Sequence, residues 1–202
     1  MTHLGVQPPG ATPLSGDDLA GLKLSWVTTQ GDLNRAEADN ILQGRSWAFR
    51  RRGTRWYLTT EQLRILHSRM FGDVWKWAGK VRLRQANVGI DPGQIAVALR
   101  DLCDDAIAQI GEGQQLAYPA DEPAVRFHHR LVSIHPFPNG NGRHSRLVTD
   151  LLVRDLGQEP FSWGGTDLTS ASDTRSRYLS ALRTADHQSS FEPLIEFARS
   201  GE

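Results

Sequence analysis

Residues 135–146 read HPFPNGNGRHSR, and the fold and chemistry of the chain turn on what this stretch does. Pro136 and Pro138 disfavour helix through it, so a helix arriving from the N-terminal side must stop near Ile134. Beyond it, Leu147, Val148, Leu151 and Leu152 recur at helical spacing and define a buried helix that ends near Gly157. Asn141 stands where the N-cap of that second helix belongs. The first N–H groups of a helix have no partners and point outward at the positive end of its dipole. Gly140 and Gly142 let the backbone approach a ligand closely. These features together outline an anion site.

Arg143 and Arg146 are three residues apart and share one face of the new helix. Cations at a helix N-terminus cost roughly 0.3–1 kcal/mol each, a penalty that a solvated surface tolerates and a bound polyanion reverses. Arginine grips phosphate oxygens as a fork, so the loop suits more than one phosphate. His135, at the entry to the loop, can take a proton from a hydroxyl that attacks a bound phosphate. Phe137 reads as an apolar peg. Spacing alone leaves open an ordinary polar inter-helix loop with one satisfied histidine.

Working outward, Ala124, Phe127, Leu131 and Ile134 form the apolar face of the preceding helix, which starts at Asp121 with Pro123 in its first turn. Helices are also expected over 32–49 with Asp32 as cap, from Thr60 to Gly72, over 94–110, over 172–185 and over 192–198. Alternation from Val81 to Asn87, followed by glycine and proline breaks, predicts a short hairpin. RRGTRWYLTT reads as a turn or short extended piece, and residues 1–16 as a flexible or surface-laid arm. The class expected is mainly α with one small β-hairpin.

Lys plus Arg total 23 and Asp plus Glu total 23, so no basic excess points to nucleic acid. RRGTR at 51–55 is the one local hint, and a solvated loop explains it. The lone Cys103 fits a reducing compartment. No secretion signal is seen, and no apolar run nears the roughly 20 residues that span a bilayer. The expected location is the cytoplasm. His128, His135 and His144 lack Cys or carboxylate partners at zinc-ligand spacing.

HPFPNGNGRHSR resembles the signature of the Fic family, HPFx(D/E)GNGRxxR, and departs from it at Asn139, where the family has an acid. WAGKVR at 77–82, the Asp121 helix running into IHPF, and RSRYLSALRTAD at 175–186 are also Fic-like. The resemblance covers about residues 60–198, taken as the catalytic domain after an arm and helical extension over 1–59. The lead-in GDLNRAEADNI resembles the branch called mobile mystery protein B.

The resemblance implies a Fic-like helical bundle that transfers AMP from ATP to a Tyr, Thr or Ser hydroxyl of a target protein. His135 would be the general base, Gly140, Asn141 and Gly142 the anion cradle, and Arg143 and Arg146 the holders of the β- and terminal phosphates. Val88, Gly89 and Ile90 would lie in the flap that docks the target as an extended strand. The family acid helps hold Mg²⁺; Asn139 offers a neutral oxygen instead, so Mg²⁺ is expected to be held mainly by the nucleotide. Many members are restrained by a glutamate from a helix bearing (S/T)xxxE(G/N), which pairs with the second motif arginine. No clean match exists here, and Glu37 is the nearest candidate beside the reading of a solvated acid. Restraint by an antitoxin-like or helix-turn-helix partner is the other route. The competing reading is a weakly active or non-catalytic nucleotide-binding, toxin-like module controlled by a partner.

Overall fold

A computed structural model describes residues 14–110, 119–165 and 173–201. The chain is mainly helical: α1 (Gly16–Leu19), α2 (Gln30–Arg50), α3 (Thr60–Phe71), α4 (Ile95–Gln109), α5 (Asp121–Ile134), α6 (Asn141–Asp155), α7 (Asp173–Gln188) and α8 (Glu192–Arg199). A 3₁₀ turn, Pro92–Gln94, leads into α4. The helix expected from residue 172 begins at Asp173, and residues 1–13 of the predicted arm lie outside the described residues. No helix among those described is long and apolar enough to cross a membrane.

Local chemistry sets the ends. α2 begins two residues before the predicted cap, because Thr29 accepts from the Asp32 N–H while the Asp32 carboxylate accepts from the Thr29 N–H. This reciprocal box satisfies two otherwise orphan donors. Thr59, one residue ahead of the predicted cap, accepts from the Gln62 N–H at the start of α3, without a return bond.

The predicted β-hairpin is not formed. Among the described residues there is no β-strand, and the isolated bridge joins Leu22 to Trp75. The 81–90 segment, including Val88, Gly89 and Ile90, is an irregular loop. Alternation was present, but its sense is inverted: Arg82 is buried while Leu83 is 91% exposed. The Arg82 N–H donates to the Pro136 carbonyl, so the segment is tied to the 135–146 loop.

The centre of the bundle is α6. Leu147, Val148, Leu151, Leu152 and Val153 are buried on it, and so are Asn141, His144, Ser145, Thr149 and Asp150. A helix buried nearly all round must satisfy its polar groups through its neighbours. His144 donates from Nε2 to the Leu63 carbonyl of α3. His128 of α5 bonds Thr149, and Asp150 accepts from Arg45 of α2 and from Trp163 Nε1. Trp163 is thereby a core residue, 6% exposed, packed against the His128 ring.

These buried histidines make the fold acid-sensitive. Burial lowers the pKa of His144 to about 4 and of His128 to about 3, and holds His67 well below the ordinary value. The unfolded chain therefore binds more protons than the folded one below the ordinary histidine pKa of about 6.5. Asp150 opposes this, because burial pushes its carboxyl up to about 6. Three histidines outweigh one carboxyl. Stability in urea should be level just above pH 7 and fall as the pH drops from about 6.5 toward 4, at about 1.4 kcal/mol per pH unit per histidine titrating. A midpoint that stays constant or rises over that interval would contradict the buried neutral histidines.

Candidate active site

His135 ends α5 in the left-handed region, with φ 52° and ψ 60°. A non-glycine residue there costs of order 1–3 kcal/mol and persists only when its surroundings hold it. Its N–H donates to the Leu131 carbonyl at 3.3 Å, and its own carbonyl accepts from Arg82 Nε at 2.7 Å. The residue is 8% exposed, and the Val132 carbonyl lies close to its ring. Burial, with a smaller push from the Arg82 charge, lowers its pKa to about 4 against the pull of that carbonyl. The imidazole is therefore neutral near pH 7, the form that accepts a proton.

The loop behind it is closed by Asn141. The Asn141 Nδ2 donates to the Phe137 carbonyl at 2.8 Å, and Oδ1 accepts from the Phe137 N–H at 2.9 Å. Its side chain thus locks the loop, and the N-cap of α6 is Gly140, one residue earlier than expected. Phe137 is fully buried and stacks on His67 at 3.8 Å. His67 accepts from the Gly79 N–H at Nδ1, so it donates from Nε2 to the Asn139 carbonyl at 3.0 Å. Gly140 has φ +79°, and a Cβ there would stand 2.6 Å from the Phe71 ring. At Gly142 a Cβ would instead stand 3.8 Å from Arg146 Nη1, in space beside that guanidinium.

The two motif arginines have different partners. Arg143 Nη1 donates to Glu37 Oε2 at 2.6 Å, and its guanidinium lies 4.9 Å from the centre of the Phe71 ring. Glu37 Oε1 accepts from Trp75 Nε1 at 2.7 Å. Glu37 is buried, which overturns the reading of a solvated acid, and it meets the first motif arginine where the second was expected. The Arg146 guanidinium lies beside Tyr178 of α7, 5.9 Å from the centre of its ring. Thr149 Oγ1 donates to the Ser145 carbonyl, so it accepts from His128 Nδ1. His128 Nε2 then accepts from the Tyr178 hydroxyl at 2.9 Å, so the lone pairs of the phenolic oxygen stay near the Arg146 guanidinium. Burial, opposed by Tyr178 and reinforced by Arg143, lowers the Arg146 pKa from its ordinary value. A guanidinium oriented in this way and lacking a carboxylate in direct contact among the described residues suits an incoming anion.

Residues 57–153 match the family model described as Fic/DOC family. This chain carries a Fic/DOC family domain. The Fic domain is similar to the protein adenylyltransferase fic-1 of Caenorhabditis briggsae, at 28% identity over 134 residues, which is 64% of this chain and 24% of that protein. It is also similar to the protein adenylyltransferase Fic of Drosophila sechellia, at 30% identity over 143 residues, 69% of this chain and 27% of that protein. The chain thus spans about a quarter of the length of these curated relatives. In fold it is similar to the BepC protein of Bartonella tribocorum, solved with bound AMPPNP, with a TM-score of 0.65 and 16% identity, covering 86% of this chain and 87% of that one.

Within the Fic domain, the residues at the family's metal position do not fit a Mg²⁺ held by protein groups. Asn139 Oδ1 is neutral, accepts from the Gly140 N–H at 2.6 Å and lies 3.5 Å from Arg143 Nη2. No group of three His, Cys, Asp or Glu able to hold a metal occurs among the described residues. A cleft of about 900 Å³ between α2 and α3, lined by Trp47, Arg50 and Arg69 among others, contains no residue of the 135–146 loop. Sequence reasoning missed Trp75, Arg82 and Tyr178 as site residues. WAGKVR and RSRYLSALRTAD contain Arg82 and Tyr178, but nothing local says that their side chains reach His135 and Arg146.

Proposed function

We propose that the chain transfers AMP from ATP to a Tyr, Thr or Ser hydroxyl of a protein. The carrying observation is a buried neutral imidazole, fixed at the corner between α5 and α6, beside a glycine-flanked helix start that bears two arginines. The target hydroxyl loses its proton to His135 as its oxygen bonds the α-phosphorus. The bond from that phosphorus to the pyrophosphate oxygen breaks, and pyrophosphate leaves. The backbone over 140–142 and the helix dipole meet the phosphates. Arg143 would take the β-phosphate region and Arg146 the terminal phosphate, while Val88, Gly89 and Ile90 meet the target. The names of the curated relatives support this reading. The test is mass spectrometry of acceptor proteins incubated with the chain and ATP. AMP on hydroxyl side chains is expected, and unmodified acceptors across a broad lysate would count against it.

In this reading the extension over 1–59 regulates the body over 60–198, because Glu37 occupies Arg143. The same pair and the neutral Asn139 favour the second reading, a weakly active nucleotide-binding module whose release depends on an antitoxin-like or other protein partner. Asn139 also sets the metal requirement. Asn139→Asp restores a hard anionic oxygen and should raise Mg²⁺-dependent turnover about tenfold, while the wild type depends weakly on Mg²⁺ beyond that bound to ATP. Identical Mg²⁺ titrations of the two proteins would remove Asn139 from the account.

A further inference from the structure

Arg82 is 5% exposed, yet among the described residues no carboxylate pairs with it directly. Its guanidinium is spent on backbone. Nε donates to the His135 carbonyl at 2.7 Å, Nη1 to the Arg84 carbonyl at 2.9 Å, and Nη2 to the Ile90 carbonyl. Its own N–H donates to the Pro136 carbonyl at 2.9 Å. One side chain therefore closes the loop from residue 84 to residue 90 upon itself and joins it to the backbone of His135. Around it, Leu83, Arg84, Gln85, Asn87 and Val88 are exposed, so the segment has little buried apolar surface to hold its shape. Hydrogen bonds from a buried cation are the strong kind, and removing the donor leaves three carbonyls to find other partners.

Gly89 makes the fit close. It has φ +110°, and a Cβ there would stand 2.6 Å from Arg82 Nη2 and 2.6 Å from His135 Cβ. The loop thus presses against both the clamp and the histidine, and a side chain at Gly89 fits only if these atoms shift. Asp91 lies next in the chain, and its charge partly offsets the cost of burying the guanidinium.

We propose that Arg82 is a positioning residue that locks the 83–90 segment onto the backbone of His135, so that the surface receiving the target and the base that deprotonates it are held in one register. This rests on the proposed transferase reading for its kinetic consequence, but the clamp itself does not. It predicts a separation of effects. ATP meets the α6 start and the motif arginines, none of which bonds Arg82, so nucleotide affinity should survive loss of the clamp.

The test compares Arg82→Gln, Arg82→Lys and Gly89→Ala with wild type in the full chain. Hydrogen–deuterium exchange over 83–91 should quicken about tenfold or more in all three, with exchange in the cores of α5 and α6 unchanged. ATP affinity should stay within about twofold, while kcat/KM for the protein target falls on the order of 30-fold, mainly through KM. Arg82→Lys keeps the charge but not the fork, so it should rescue little. Unchanged exchange over 83–91 would overturn the clamp, as would acceleration throughout the helices or an equal loss of ATP affinity. If wild type transfers nothing to any acceptor, the transferase reading fails, and the exchange data still decide the clamp.

Discussion

His135→Ala should lower AMP transfer by about 10²–10⁴-fold while leaving ATP binding nearly intact. The residue contributes a base, and the phosphates are met elsewhere, by the α6 start and its arginines. Two further outcomes distinguish a base from a structural residue. Wild-type kcat/KM should be flat from about pH 6 to 8 and fall only as the pH approaches 4, where His135 gains its proton. Alanine also removes the burial of a neutral ring close to the Val132 carbonyl, so a modest change in stability is expected at a left-handed position. Loss of ATP affinity comparable to the loss of transfer would mean that the histidine holds the loop and does no proton transfer.

Glu37→Gln should raise ATP affinity and transfer about tenfold, equivalent to about 1.4 kcal/mol of restraint removed. The glutamine oxygen can still accept from Trp75 Nε1, which now bonds Glu37 Oε1 at 2.7 Å. Its amide cannot accept from Arg143, so the guanidinium is released from the contact with Oε2. The pair is mostly buried, with side-chain exposures of 21% for Arg143 and 8% for Glu37, so its removal is not a surface effect. Breaking a buried ion pair on one side destabilises a fold, and the melting temperature should drop in the absence of nucleotide. Added ATP should restore part of it, because phosphate then pairs with Arg143. A variant that melts lower and neither binds nor transfers better would make Glu37 a strut that holds α2 to the body.

Helices were legible where apolar spacing met a polar boundary. Ala124, Phe127, Leu131 and Ile134 mark the buried face of α5, and the prolines after Ile134 end it where expected. The 81–90 loop was misread because alternation is a statement about two faces, and only a partner strand makes those faces meaningful. Here the charged residue of the alternation, Arg82, is the buried one, since three carbonyls satisfy its guanidinium. His135, Arg143 and Arg146 can be proposed from sequence because helix ends and phosphate chemistry leave a local imprint. Trp75 and Tyr178 were obscure as site residues for the opposite reason, each making its contact at a distance in sequence; Glu37 stood out as a candidate restraining acid, but a 106-residue separation from Arg143 leaves no pattern that pairs the two.

The most direct test uses ATP labelled at the α-phosphate beside ATP labelled at the γ-phosphate, each incubated with wild type, Glu37→Gln and His135→Ala in the presence of host lysate. The expected result is protein-bound label from the α-position alone, stronger with Glu37→Gln and absent with His135→Ala. Label from the γ-position alone would make the chain a kinase, and α-label that persists in His135→Ala would contradict the assignment of the base.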